Sequence, residues 1–224
     1  MQYLFLCAGC LGMMIIFIIY EKAKNYVAAF MLKSIASAFF VVLGIVGSKI
    51  SSDKGFAKLV VIGLVLGCIA DVLLNLRFVF DEKKGKLVFL VGILVFLSGH
   101  IMYLLALIPK CDKLFVCLGL GAVLTALTMI WIFKRITAQK AFKIFGVFYI
   151  GAIMMMTCVA FGILISSPSA HSGMFAAGAL LFLISDIVLR LNTFGSETKF
   201  SLRVTNLSLY YVGQLLIALS LQLV

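Results

Sequence analysis

The chain has 224 residues, of which 64% are hydrophobic and only 12% are charged. A soluble domain would be about half apolar and a quarter charged, so the composition excludes an ordinary soluble protein and predicts a polytopic membrane protein. The formal net charge is +11, but the basic residues lie at the ends of apolar runs, where they mark topology. We therefore expect the lipid bilayer as a partner and no nucleic acid.

A membrane-spanning helix needs about 20 apolar residues, and the chain contains eight such runs. In chain order they cover 3–20, 27–48, 57–78, 87–108, 113–133, 141–165, 172–191 and 203–223. The first run has no basic region before it and no cleavage site after it, so we expect a retained helix. The sequence predicts an all-α fold of eight transmembrane helices, forming a single transmembrane domain over residues 1–224.

The distribution of Lys and Arg predicts the orientation of these spans. Thirteen of the 19 basic residues lie in the connections after spans 1, 3, 5 and 7, and one, Lys33, lies inside span 2. The connections after spans 2, 4 and 6 carry only Lys49, Lys54, Lys58, Lys110 and Lys113. Because cytoplasmic connections are enriched in Lys and Arg, we expect a multi-pass protein of the cell membrane with both termini outside.

The six cysteines indicate neither a disulfide framework nor a metal cluster. Cys111 lies at a membrane edge and the other five lie inside apolar runs, namely Cys7, Cys10, Cys68, Cys117 and Cys158. The Cys7-x-x-Cys10 spacing occurs in redox motifs, but no acid or His nearby would generate a thiolate. We expect these residues to be small buried hydrophobes.

Spans 3 and 7 each contain an aspartate, and the two segments repeat one another. Gly63-LVLGCIA-Asp71 and Gly178-ALLFLIS-Asp186 share a glycine eight residues before the acid. A charge at this depth costs roughly 2.5–3.5 kcal/mol on insertion scales, so such residues usually face the protein interior and have a function there. The pair suggests a two-carboxylate catalytic site in one cavity that opens toward the cytoplasm. Alternatively, each Asp is only a hydrogen-bonding anchor between helices.

The helices that follow these spans extend the similarity. Gly99-His100 in span 4 and Gly213-Gln214 in span 8 occur at nearly the same separation from the two acids. A repeat displaced by four helices keeps its direction through the membrane, so the pattern predicts a parallel 4+4 internal repeat.

Other polar residues lie in the same spans and are candidate substrate-binding residues. Lys33 either snorkels to the cytoplasmic edge or pairs with one of the acids and favours its charged form. His100 and Tyr103 share a helix face, although a lone His in an apolar helix is often only a packing residue. The complete set of candidates is Lys33, Asn75, His100, Tyr103, Tyr149, Ser185, Tyr211 and Gln214.

The sequence gives little support to a metal or another cofactor, and we expect neither. It contains two His, and His171 is predicted on the opposite side of the membrane from the acids. A catalytic zinc usually has three protein ligands. His100 with the two acids could just supply them, without any recognised spacing.

Four motifs together resemble the YhhN-like membrane proteins, which include the lysoplasmalogenases: Gly67-CIA-Asp71-VLL, Gly99-His100-IM-Tyr103, Gly178-ALLFLIS-Asp186 and Leu209-YYVG-Gln214. The resemblance runs from the region of Lys33 to span 8. Ser34 replaces the proline that usually follows the family's lysine, and Ala70 replaces the usual glycine before the first aspartate.

The resemblance implies an eight-helix membrane hydrolase that cleaves the vinyl ether bond of lysoplasmalogens, with a lysophospholipid as substrate. Protonation of the alkenyl carbon gives an oxocarbenium ion, which water attacks. One protonated carboxylic acid and one carboxylate suit this chemistry, and general acid catalysis contributes about 10²–10⁴-fold. We assign the proton to Asp186 and the charge to Asp71. Two alternatives stay open: a lipid or small-solute transporter and a zinc-dependent lipid amidase.

Overall fold

The computed structural model describes the backbone of residues 1–137 and 140–224, and the side chains of these residues except 140–142. Eight long helices account for most of it. Their bounds are α1 Gln2–Lys22, α2 Tyr26–Ile50, α3 Lys54–Leu76, α4 Glu82–Leu107, α5 Leu114–Phe133, α6 Lys140–Ser166, α7 Ala170–Phe194 and α8 Phe200–Ser220. Two 3₁₀ turns follow α4 and α8, at Ile108–Lys110 and Leu221–Leu223. In this described part, the extended structure is a single bridge between Ile136 and Gly195.

All eight helices are long and apolar enough to cross a membrane. The predicted all-α fold and the eight spans are therefore confirmed, with ends that differ by a few residues. The largest difference is at α4, which begins at Glu82 instead of residue 87. Helical hydrogen bonding does not stop at the membrane edge, so the charged residues before the apolar run continue the same helix.

Polar side chains cap the starts of α2, α3 and α7, and a proline follows the end of α4. The Asn25 and Asp53 side chains accept hydrogen bonds from the Ala28 and Phe56 amides at the starts of α2 and α3. Ser169 forms a capping box at the start of α7. These caps satisfy amide groups that a helix leaves without an internal partner. Pro109 lies in the 3₁₀ turn after α4, where it cannot continue an α-helix.

The chain divides into two compact units, one of residues 1–103 with 217–224 and one of residues 104–216. In the first unit, α2 packs against both α1 and α3. In the second, α6 packs against both α5 and α7. Each unit is therefore organised around the helix that precedes its aspartate-bearing helix.

Glycines let the helices of each hairpin approach closely. A Cβ atom added to Gly99 on α4 would lie 3.1 Å from the carbonyl oxygen of Gly63 on α3. A Cβ atom added to Gly213 on α8 would lie 2.9 Å from the carbonyl oxygen of Gly178 on α7. Both contacts use the glycine eight residues before the aspartate. They support the proposed 4+4 repeat, which stays a prediction.

Candidate active site

Asp71 lies in α3 and is held by two side chains from α2. The Lys33 ammonium lies 2.8 Å from Asp71 Oδ1, and the Ser37 hydroxyl donates a hydrogen bond of 2.6 Å to Asp71 Oδ2. Lys33 and Ser37 are one helical turn apart, so they share a face of α2. Lys33 therefore points inward and pairs with the first of the two acids, as one of the two sequence-based alternatives proposed.

This ion pair is removed from solvent. Lys33, Ser37 and Asp71 are 4%, 0% and 2% exposed, and the Phe17 ring of α1 lies over the Lys33 ammonium at 5.9 Å. The Cys10 thiol of α1 donates to the Ala36 carbonyl at 3.2 Å, which joins α1 to α2 beside the pair. Buried charges are tolerated when they are paired and hydrogen-bonded, and both carboxylate oxygens of Asp71 meet this condition.

Asn75 lies one turn after Asp71, on the same face of α3. It is 3% exposed, and its side-chain oxygen has no hydrogen-bond partner among the residues that the structure describes. Because buried polar atoms are nearly always paired, this oxygen is suited to accept a hydrogen bond from a ligand or a water molecule. The structure thus places the predicted Asn75 next to Asp71 with a free acceptor.

His100 and Tyr103 of α4 belong to the same unit as Asp71 and are 1% exposed each. Their rings meet edge to face with centroids 6.1 Å apart, and Phe96 stacks on His100 at 6.1 Å. The Tyr103 ring occupies the space that a side chain at Gly63 would fill. Tyr103 therefore packs α4 against α3, and its role toward a substrate stays a prediction, as does that of His100.

Asp186 lies in α7 and is 4% exposed. Arg190, one turn later, is close enough for its positive charge to interact with Asp186. The Arg190 guanidinium lies over the Tyr149 ring of α6 at 4.9 Å. A Cβ atom at Gly146 would lie 2.9 Å from Arg190 Nη1, so this glycine leaves room for the guanidinium. Tyr149, a predicted site residue, thus contacts the neighbour of Asp186.

The predicted residue Ser185 is engaged with Asn206 of α8. Its hydroxyl donates to the Asn206 carbonyl at 3.0 Å. The Asn206 amide donates in turn to the Ser185 carbonyl at 3.0 Å and to the Ser185 hydroxyl at 2.8 Å. This network joins α7 to α8 beside Asp186. It gives Ser185 a structural role, and its assignment to substrate binding stays a prediction.

Tyr211 and Gln214 lie on one face of α8 and are 0% and 1% exposed. The Tyr211 ring meets that of Tyr210 at 4.9 Å, and Tyr210 packs edge to face on Phe182 of α7 at 5.2 Å. Both predicted residues are therefore buried in the unit that carries Asp186.

Three residues of these surroundings were not predicted as site residues: Ser37, Arg190 and Asn206. Ser37 and Arg190 lie four residues from Lys33 and Asp186, a spacing that places side chains on one helix face. This signal was available in the sequence. No comparable spacing pointed to Asn206.

In the described ranges, 1–137 and 140–224, no group of three His, Cys, Asp or Glu side chains could hold a metal ion. Asp71 has an ammonium and a hydroxyl beside it, and Asp186 has a guanidinium nearby that lies over a phenol ring. The carboxyl groups can donate or accept a proton and stabilise a cation, and their polar neighbours can hold them in place.

A comparison with known protein families gives a match to the YhhN family over residues 26–221. The chain belongs to the YhhN family. The matched range contains every predicted site residue of this YhhN protein, from Lys33 to Gln214, and omits α1. Comparisons with curated proteins and with solved structures found no match.

Proposed function

We propose that this YhhN-family protein is a membrane hydrolase that cleaves the vinyl ether bond of lysoplasmalogens. The products are a fatty aldehyde and glycerophosphoethanolamine or glycerophosphocholine. Family membership supports a lysoplasmalogenase-like membrane protein. The observation that carries the proposal is the buried Asp71 carboxylate, which an ammonium and a hydroxyl hold in place from one helix.

Asp71 is proposed as the charged partner of the reaction. Its contacts with Lys33 and Ser37 compensate a negative charge on both oxygens. A fixed carboxylate stabilises a developing oxocarbenium ion without having to reorganise during the reaction. The neighbouring acceptor of Asn75 is proposed to bind the water that attacks the cation.

Asp186 is proposed as the general acid. It transfers its proton to the alkenyl carbon next to the carbon that bears the ether oxygen, and it becomes a carboxylate. Arg190 lies one turn away and within electrostatic range of Asp186, so it would stabilise the carboxylate that forms when the proton leaves. Water then adds to the cation and gives up a proton to the Asp186 carboxylate, which restores the acid, and the neutral hemiacetal breaks down into aldehyde and alcohol. His100, Tyr211 and Gln214 are proposed to position water and the ether oxygen.

The test is hydrolysis of 1-alkenyl lysophospholipids by the purified protein, followed as released aldehyde. Asp71→Asn and Asp186→Asn keep side-chain shape and remove the titrating group, so each should lose nearly all activity. Asp81→Asn is the matched control, because Asp81 is exposed and pairs only with Lys84 among the residues described. Full hydrolysis by a folded variant that lacks both buried acids would leave them as structural anchors and end the proposal.

Isotopes test the mechanism independently of mutagenesis. In D₂O, protonation of the alkenyl carbon should place one deuterium at carbon 2 of the aldehyde. In ¹⁸O-labelled water, the glycerol hydroxyl should stay unlabelled, because water attacks the alkenyl side of the ether. Label in that hydroxyl would show that the other C–O bond breaks and would exclude the oxocarbenium route.

A further inference from the structure

Two cysteine thiols meet at the start of α5. Cys111 lies in the connection before this helix, and Cys117 lies in its first turns. The Cys111 thiol donates to the Cys117 sulfur with the two Sγ atoms 3.8 Å apart. The residues are 9% and 8% exposed, so both are mostly buried but keep a small exposed fraction. From the sequence no disulfide is expected, because Cys117 lies inside an apolar run and Cys111 lies at a membrane edge.

Gly162 of α6 leaves the space that this pair occupies. A Cβ atom at Gly162 would overlap the Cys117 sulfur and lie 3.5 Å from the Cys111 sulfur. The two thiols therefore pack side by side against α6, in space that is open because residue 162 is a glycine. This arrangement keeps the sulfurs adjacent without a covalent bond.

We propose that Cys111 and Cys117 are a modification site that forms a disulfide bond. A disulfide has its sulfurs about 2.05 Å apart, so the two atoms have to approach by roughly 1.8 Å. Cys111 has extended backbone angles outside any helix, so its backbone can adjust without breaking helical hydrogen bonds. The sequence-based orientation places this connection on the outer side, where disulfides persist.

The oxidant is a small disulfide of the glutathione class, acting by thiol–disulfide exchange. The Cys111 thiolate attacks one sulfur of the oxidant, forms a mixed disulfide and releases one thiolate. The Cys117 thiolate then attacks the Cys111 sulfur and releases the second thiolate. Two electrons pass from the pair to the oxidant, and the two thiol protons end on the two released thiols.

The pair Cys7 and Cys10 is the internal comparison. It has the redox-like spacing, but the Cys10 thiol donates to the Ala36 carbonyl and is 0% exposed. Cys158 is a second comparison, because it lies one turn before Gly162 on α6 and is only partly buried. The proposal predicts that a bond forms between Cys111 and Cys117 in preference to one with either Cys7 or Cys158.

Peptide mapping of the full-length protein tests this directly. Purified protein is incubated with oxidised glutathione or with dithiothreitol, blocked with N-ethylmaleimide and digested with trypsin. Cleavage after Lys110 and Lys113 separates Cys111, in residues 111–113, from Cys117, in residues 114–134. Oxidation should join these two peptides with the loss of two hydrogens, and reduction should release them.

The variants make the assignment specific. Cys111→Ser and Cys117→Ser should each abolish the joined peptide, and Cys158→Ser should retain it. Oxidised wild-type protein should also unfold several degrees above the reduced protein, a difference that should vanish in Cys111→Ser. Full alkylation of both cysteines after oxidation, or prior joining of Cys7 to Cys10 or of Cys117 to Cys158, would overturn the proposal. The wild-type map decides this even where a variant fails to fold.

Discussion

Replacement of Lys33 by methionine is the perturbation for which the structure gives the sharpest expectation. Methionine fills a similar volume but removes the ammonium that lies 2.8 Å from Asp71 Oδ1. At this distance the attraction is about 6 kcal/mol for an effective dielectric constant of 20. Desolvation of the two ions offsets much of it, at several kcal/mol per ion. The intact pair therefore contributes little net stability, whereas either charge alone is destabilising.

The expected loss for Lys33→Met is about 3–5 kcal/mol, because it leaves an uncompensated buried carboxylate. For a chain of this size, that corresponds to a decrease in unfolding temperature of about 6–20 °C. Asp71→Asn should cause a loss in the same range, because it leaves the ammonium alone. The double variant should recover most of the stability, because both charges are removed together.

Thermal unfolding in detergent, with all four proteins at equal concentration, measures this cycle. A coupling of several kcal/mol between the two substitutions is expected. Additive losses, or a Lys33→Met protein as stable as the wild type, would refute the buried pair and would favour a lysine that snorkels to the membrane edge. Lys49→Met, at the exposed end of α2, controls for loss of a positive charge as such.

Four further outcomes are expected. Asn206→Ala should lower the free energy of unfolding by about 1–3 kcal/mol, because it leaves polar groups of Ser185 unpaired. The adjacent Thr205→Ala removes only an exposed hydrogen bond to Ser201, so it should be nearly neutral in thermal unfolding. Gly213→Ala should lower the free energy of unfolding by about 1–3 kcal/mol, because the added methyl group overpacks against Gly178. The control Gly119→Ala adds a methyl group with no atom within 4 Å, so it should stabilise the protein slightly. Reporter fusions should place both termini outside, and a cytoplasmic signal from either would contradict that orientation. Chelators should leave the aldehyde-releasing activity unchanged, and its restoration by zinc alone would favour the amidase-like alternative.

The eight spans could be predicted because length and apolar content are local properties of the chain. The caps at Asn25, Asp53 and Ser169 also follow from local chemistry. The pairing of Lys33 could not be fixed in the same way. It depends on how α2 rotates against α1 and α3, and the positions of Phe17 and Cys10 on α1 become meaningful only after the helices have packed.

The surroundings of the second acid show the same limit. The four-residue spacing between Asp186 and Arg190 is visible in the sequence, but the partner of Arg190 on another helix is not. Its contact with Tyr149 depends on Gly146, on a different helix, where a larger side chain would occupy the space of the guanidinium. The bonds between Ser185 and Asn206 likewise depend on the register between α7 and α8, which no local pattern determines.

The two aspartates thus have similar hairpins and different electrostatic surroundings. Eight residues before each aspartate, a glycine contacts the next helix. However, the cation near Asp71 comes from α2, whereas the cation near Asp186 comes from the same helix as Asp186. In the position that corresponds to Arg190, Asp71 is followed by Asn75, a neutral acceptor. The proposed roles of a general acid and a charged partner would require different neighbours, and the two aspartates have them. This difference supports the proposal that the two aspartates have different roles.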